Sequence, residues 1–193
     1  MRSFLEEMQG SGCNISIVTK SDLVVRDLDL IRIFSNARVS WSINTLDEKF
    51  RREMDNSVSI DWEIEAMKKF HNAGIRTTCF ISLIFPMITD VKEIILKTKD
   101  YCNLVWLENL NLRWEYKKII LNYIKEKYSN FYPIYDKIYN EGKRDYWEIL
   151  DKEIRKLCKE QKLEYIRNDD SLKRGINEQT LVVNYFYHEE ITK

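Results

Sequence analysis

A set of polar side chains stands just past short apolar, β-branched runs, and their types suit one kind of ligand. Thr19 and Lys20 follow the first run, and Ser42 and Asn44 close the second. Ser82 and Thr89 follow the third, and Glu108, Asn109, Asn111 and Arg113 the fourth. Their cations suit a carboxylate or phosphate, and their short hydroxyls and amides suit the hydroxyls of a sugar. Ser42 and Asn44 flank Ile43, so in a strand both face the same way and together offer a ribose donors and acceptors. Lys20, one strand away, is a compact point charge suited to a carboxylate. Taken singly, each residue is also what a strand-to-helix loop uses for caps and turns. Only as a ring on adjacent strands do they form a candidate site.

A ring of this kind needs parallel strands that end at one edge. Residues 14–19, 38–43, 76–84 and 104–107 are predicted strands. Residues 23–34 have apolar residues at helical spacing behind Ser21 or Asp22 as N-cap, and a short helix capped by Thr45 or Asp47 runs to about Met54. Residues 60–72 form a stronger amphipathic helix, with Ile64, Met67 and Phe70 on one stripe and Gly74 at its end. Residues 91–101 form another, behind Thr89 or Asp90. This alternation predicts parallel βαβ units, with apolar strands buried on both faces and ligands at the carboxyl ends of the strands.

Beyond Arg113 the rhythm changes. Residues 116–128, 132–140 and 146–161 are predicted helices, 164–166 a short strand, 168–179 a loop and 181–187 the last strand. Residues 1–113 are thus expected to form βα units, and residues 114–193 a helical extension and final strand packed on the same domain. No internal repeat or low-complexity tract is present.

Other reactive residue types have plainer readings. His71 falls near a helix end, where an imidazolium favours the helix dipole. His188-Glu189-Glu190 lacks the His-Glu-x-x-His spacing of a metal site and reads as solvated charge. Cys79, Cys102 and Cys158 fall in apolar strand or helix patterns and read as small hydrophobes. Tyr128, Phe131, Tyr132, Tyr135 and Tyr139, interleaved with Lys125, Lys127 and Lys137, suit nucleic-acid stacking, but helical spacing favours their packing on the rest of the domain.

The bulk properties set bounds. The chain has 193 residues, 44% hydrophobic and 32% charged, enough for one domain with a core. Lys plus Arg balances Asp plus Glu at 31 each, so no global field draws nucleic acid or an anionic membrane. No run approaches the roughly 20 apolar residues of a membrane span, and the opening Met1-Arg2-Ser3-Phe4-Leu5-Glu6-Glu7 does not resemble a signal peptide. Four scattered cysteines without a CxxC pair do not make a secreted disulfide scaffold. A cytoplasmic location is the expectation.

Four stretches, in order, resemble the radical SAM superfamily, and within it proteins related to spore photoproduct lyase. Residues 17–30 (IVTKSDLVVRDLDL) resemble that family's third strand and helix. Val39-Ser40-Trp41-Ser42-Ile43-Asn44-Thr45-Leu46-Asp47 resembles its fourth strand, whose Ser-x-Asp or Ser-x-Asn ending contacts the ribose of S-adenosylmethionine (SAM). Ala73-Gly74-Ile75-Arg76 leading to Phe80-Ile81-Ser82-Leu83-Ile84-Phe85-Pro86-Met87-Ile88-Thr89-Asp90 resembles the fifth, Glu108-Asn109-Leu110-Asn111-Leu112-Arg113 the sixth, and Val182-Val183-Asn184-Tyr185-Phe186-Tyr187-His188 also looks familial. The resemblance implies a partial (β/α) barrel of the TIM-barrel-like type, with Lys20, Ser42, Asn44, Ser82, Asn109 and Arg113 as cofactor-binding candidates.

In that family a Cys-x3-Cys-x2-Cys loop holds a 4Fe-4S cluster, which cleaves SAM reductively to a 5′-deoxyadenosyl radical that takes hydrogen from a substrate. None of the four cysteines here has that spacing. The resemblance therefore implies that the cluster loop and a Gly-rich SAM contact lie upstream of Met1, with Phe4-Leu5-Glu6-Glu7-Met8 ending the second helix. The chain would be a fragment, a truncated product or a decayed paralogue that holds no cluster alone. The family often has Pro where Leu83 stands, and Gly, which supplies positive φ, where Met87 and Trp114 stand. A barrel that begins at its third strand exposes an edge, so self-association or a cover from the N-terminal helix is expected. The alternative is a non-catalytic α/β binding or interaction protein derived from that family.

Overall fold

The computed structural model describes residues 1–54, 57–167 and 181–186. The predicted loop at 168–179, Tyr187 and the His188-Glu189-Glu190 group lie outside the described residues. The strands are β1 (Ile15–Thr19), β2 (Ala37–Ser42), β3 (Arg76–Ile84), β4 (Leu104–Asn109), β5 (Glu164–Arg167) and β6 (Val182–Phe186). The helices are α1 (Arg2–Glu7), α2 (Leu28–Ile31), α3 (Glu48–Met54), α4 (Ile60–Asn72), α5 (Val91–Thr98), α6 (Trp114–Lys127), α7 (Tyr132–Tyr139) and α8 (Asp145–Gln161).

The strands form one parallel sheet in the order β1-β2-β3-β4-β6-β5. This is the parallel α/β architecture of a partial, TIM-barrel-like (β/α) fold. The first four strands lie in chain order, and the last strand enters between β4 and β5. β1 is an edge strand, paired with β2 alone among the described residues. The N-terminal helix α1 packs on α2, buries Leu5 and holds Asp29 through two Arg2 hydrogen bonds of 3.0 and 2.8 Å.

Strand alternation gives the sheet two unlike faces. On one, Val39, Trp41 and Ile43 are buried, and Trp41 meets Phe70 of α4 edge-on with ring centroids 5.4 Å apart. On the other lie Arg38, Ser40 and Ser42 of β2, and in register with them Arg76, Thr78 and Phe80 of β3. The expectation of strands apolar on both faces is therefore corrected. The second face is mixed: Phe80, Ser82, Trp106 and Glu108 stay half-buried and Val18 is 63% exposed.

The helix expected over 23–34 is also corrected. A 3-10 turn at Leu23–Asp27 precedes the single turn of α2. The β-branched Val24-Val25 pair disfavours an α-helix, and the fully buried Asp27 carboxylate is held by Arg26 and Arg2 at 3.3 and 3.6 Å. α4 ends as predicted on Gly74, at φ +77. There the Ile75 and Gly74 amides return to the carbonyls of Phe70 and His71 at 3.1 and 3.0 Å, a Schellman closure that launches β3 directly. Met87 and Trp114 take positive φ of 63 and 47, the backbone form that glycine supplies in the family resembled. Each keeps its side chain largely in solvent, Met87 at 49% and Trp114 at 85% exposure.

The aromatic stripe of the helical extension is packing surface. Tyr135 and Tyr139 are buried, and their hydroxyls donate to the carbonyls of Pro86 (3.0 Å) and Leu110 (2.7 Å). Tyr128 stacks on Phe131 and meets Phe50 edge-on. These rings fasten α6 and α7 over the ends of β3 and β4, leaving Tyr135 and Tyr139 no face for a nucleobase. Among the described residues no helix is long and apolar enough to cross a membrane.

Candidate functional site

A cavity of about 190 Å³ opens at the carboxyl ends of the first three strands, and Lys20, Ser42, Asn44 and Ser82 all line it. Lys20 Nζ donates to the Ser42 carbonyl at 3.4 Å. The Ser42 hydroxyl lies 3.2 Å from Asn44 Oδ1 and 3.4 Å from the Ser82 carbonyl, so its single proton is committed to one of these acceptors. Ser42 therefore offers a ligand lone pairs, while the Asn44 amide offers Nδ2 donors. The Ser82 hydroxyl donates to Glu108 at 2.8 Å, and Glu108 also accepts from Trp106 Nε1 at 3.0 Å. The Ser82–Leu83 peptide bond beside it is cis.

The other ring candidates do not line the cavity. Asn109 is fully buried at the end of β4 and Arg113 is the exposed residue before α6, so neither lines the cavity. Thr19 Oγ1 accepts from the Ser21 amide at 3.0 Å, turning the chain after β1. Thr89 is 6% exposed; its hydroxyl accepts from the Phe85 amide at 2.9 Å and donates to the Asn44 carbonyl at 2.8 Å. It joins the two loops that frame the cavity, and Asp90 is the cap of α5, accepting from Glu93 N at 2.9 Å. His71 stands at the opposite edge of the sheet, 3.3 Å from Thr77 Oγ1.

Arg51, Ser57, Glu63 and Tyr116 also line the cavity, and sequence reasoning missed them. Arg51 bonds Glu48 at 2.7 Å and also the Ser57 carbonyl. Glu48 in turn accepts the Ile60 amide at 2.8 Å. That amide, with Arg51 beside it, holds the Glu48 carboxyl below its ordinary pKa and ties α3 to the start of α4. Glu63 carried a usable signal, because it is an acid on the apolar stripe of Ile60, Met67 and Phe70, and it is buried there.

A 4Fe-4S cluster needs three convergent thiolates, and the cysteines do not provide them. Cys79, Cys102 and Cys158 are buried and Cys13 is exposed. Burial pushes the Cys79 thiol up to about 12 and the Cys158 thiol up to about 11, and holds Cys102 well above its ordinary value, so all three stay neutral. Among the described residues no three His, Cys, Asp or Glu side chains stand where they could hold a metal. The cluster does not fit these residues; the polar cavity wall does fit a sugar.

A family model described as the radical SAM superfamily matches residues 2–98, just over half of the chain. The chain belongs to the radical SAM superfamily. An uncharacterized protein of Methanocaldococcus jannaschii is 37% identical over 123 residues, covering 62% of this chain and 46% of that protein. Crystal structures of SuiB from Streptococcus suis also match. The form bound to S-adenosylmethionine has a TM-score of 0.46 and 15% identity, covering 65% of this chain and 33% of that one. The form bound to precursor peptide SuiA has a TM-score of 0.44 and 15% identity, covering 66% and 33%. This radical SAM chain thus spans about half the length of the curated relative and a third of the SuiB chain.

Proposed function

We propose that this chain is the SAM-holding part of a radical SAM enzyme and that the cavity at the strand ends takes the ribose of SAM. The observation that supports this is the convergence of Lys20, Ser42, Asn44 and Ser82, from the ends of three neighbouring strands, on one cavity. A ribose diol needs one partner that accepts and one that donates, as the Ser42 oxygen and the Asn44 amide do. At about 190 Å³ the cavity is below the roughly 300–1,000 Å³ of sites that enclose a whole drug-sized ligand. It suits the sugar and its immediate neighbours, with Lys20 toward the carboxylate end. In the whole enzyme a 4Fe-4S cluster supplies the reductive cleavage of SAM, and its ligands are not among the residues described here. The finer likeness to spore photoproduct lyase-like proteins belongs to the same proposal, resting on the residue runs alone.

Titration calorimetry of the chain with SAM tests this reading. Without the cluster as anchor, binding is expected only in the millimolar range. Ser42→Ala and Asn44→Ala are each expected to weaken it by about 1–3 kcal/mol, the cost of leaving a buried polar partner unpaired. Unchanged affinity in both variants would move the ribose elsewhere. The misfit of the cysteines favours a second reading, a non-catalytic SAM-superfamily binding protein. Anaerobic iron–sulfide reconstitution tests the cysteine argument that both readings share. The chain alone is expected to develop no 4Fe-4S absorption, and stoichiometric cluster on the four existing cysteines would refute the cysteine argument.

A further inference from the structure

The mixed face of the sheet continues past the sugar cavity. Ser42 of β2, Phe80 of β3 and Trp106 of β4 are register partners on adjacent strands. Their side chains therefore leave the same face in steps of about 4.8 Å. Two residues further along, Ser82, Glu108 and Phe186 make a second such row. Phe80, Ser82, Trp106, Glu108 and Phe186 are all half-buried, and Trp106 stacks on Phe186 with ring centroids 5.8 Å apart. An aromatic wall thus adjoins the sugar cavity on the side away from Lys20, which follows β1.

Glu108 stands in this wall with its charge unmatched. Its Oε1 accepts from the Trp106 indole at 3.0 Å and its Oε2 from the Ser82 hydroxyl at 2.8 Å. An ionised carboxylate has about four lone-pair sites, so each oxygen keeps one for a further donor. Both present donors are neutral, and Glu108 makes no ion pair among the described residues. A carboxylate partly withdrawn from water loses solvation that no opposite charge offsets here. The two bonds fix its position and leave its charge to a ligand. Ser82 also lines the sugar cavity, so one hydroxyl separates the carboxylate from that cavity.

We propose that this wall holds the second substrate, and that the substrate presents a protonated amine on an apolar stem to Glu108. The occupant's role as substrate rests on the ribose reading above. With the carboxylate end of SAM toward Lys20, the Phe80 and Trp106 side of the sugar is left for the molecule that reacts. An ammonium group meets Glu108 in a charge-assisted bond, and the indole beside it adds cation–π attraction. Phe80 offers the stem an apolar surface. A neutral ring with N–H donors fills the same lone pairs but leaves the carboxylate charge without offset, which favours the amine.

The test titrates the intact chain with phenethylamine, with its neutral isostere phenethyl alcohol, and with cytidine, near neutral pH and at matched ionic strength. Amide and indole N–H resonances report binding, the Trp106 indole being assigned by its loss in Trp106→Phe. Phenethylamine is expected to shift that indole resonance and to bind about fivefold or more tightly than the alcohol. Glu108→Gln is expected to abolish the difference. Glutamine can accept from the indole and donate to the Ser82 oxygen, so this variant is expected to melt no lower than the parent. Trp106→Phe keeps the acid and is expected to keep a smaller preference for the amine. Equal binding of amine and alcohol, a preference that survives Glu108→Gln, or a Glu108→Gln chain that melts well below the parent overturns the proposal. Tighter binding of cytidine than of the amine also overturns it, in favour of a nucleobase. SAM titrated by itself tests the ribose reading separately. Amine preference without SAM binding removes the ribose reading and keeps the cation site, whereas SAM binding without amine preference removes this inference alone. A SAM affinity that falls in Glu108→Gln moves Glu108 into the sugar site and overturns the proposal as well.

Discussion

Thr89→Val removes one oxygen and leaves the shape of the side chain nearly unchanged. The Thr89 hydroxyl is the only link described between the Asn44 carbonyl (2.8 Å) and the Phe85 amide (2.9 Å), at a residue 6% exposed. Valine leaves both backbone groups unpaired, at about 1–3 kcal/mol for each buried group. Asn44 is half-buried, so water relieves part of the carbonyl's loss, and the extra methyl returns up to about 0.8 kcal/mol. The net expectation is a loss of roughly 2–3 kcal/mol, or about 4–12 °C in melting temperature for a domain of this size. Thr89→Ser keeps both bonds and loses one methyl, so it is expected to cost only about 1 kcal/mol. Urea and thermal unfolding followed by circular dichroism separate the two variants. The same reasoning expects SAM affinity to fall in the valine variant and hold in the serine variant, since only valine releases the Asn44 backbone. A valine variant as stable as the serine one would refute the reasoning.

Trp114 is 85% exposed at φ 47, a conformation that costs an L-residue about 1–2 kcal/mol, while glycine adds about 0.5–1 kcal/mol of chain entropy. Trp114→Gly is therefore expected to stabilise slightly and Trp114→Ala not at all; a glycine variant that melts below the alanine one contradicts this. A thiol reagent at mildly alkaline pH is expected to label Cys13 alone in the native chain, with Cys79, Cys102 and Cys158 reacting only on unfolding; mass spectrometry of the labelled peptides reads the result. The Cys79 thiol ionises near 9 when unfolded but near 12 when folded. Between those values the folded state holds the extra proton, so this contribution to stability is complete below pH 9 and is lost as pH rises through that window. Cys79→Val is expected to flatten the alkaline decline, and an unchanged slope would show that the thiol does not titrate this way.

Local pattern alone carried the first half of this molecule. The β-branched runs, the stripe of Ile64, Met67 and Phe70, the cap at Asp90 and the turn at Gly74 each rest on neighbours within a few residues. For that reason β1 to β4, α4 and the start of α5 were legible. Alternation likewise put Ser42 and Asn44 on one face, and the structure brings Lys20 and Ser82 to the same cavity. Asn109 and Arg113 could not be judged that way, because their positions depend on how far β4 runs and where α6 turns away. The same limit applies to Thr89, which reads as a cap in sequence but, besides its local partner Phe85, bonds Asn44 across the fold. The place of β6 between β4 and β5 and the pairing of Arg38 with Arg76 depend on sheet order and register. Those come from contacts between residues far apart in the chain, and only the folded structure could set them.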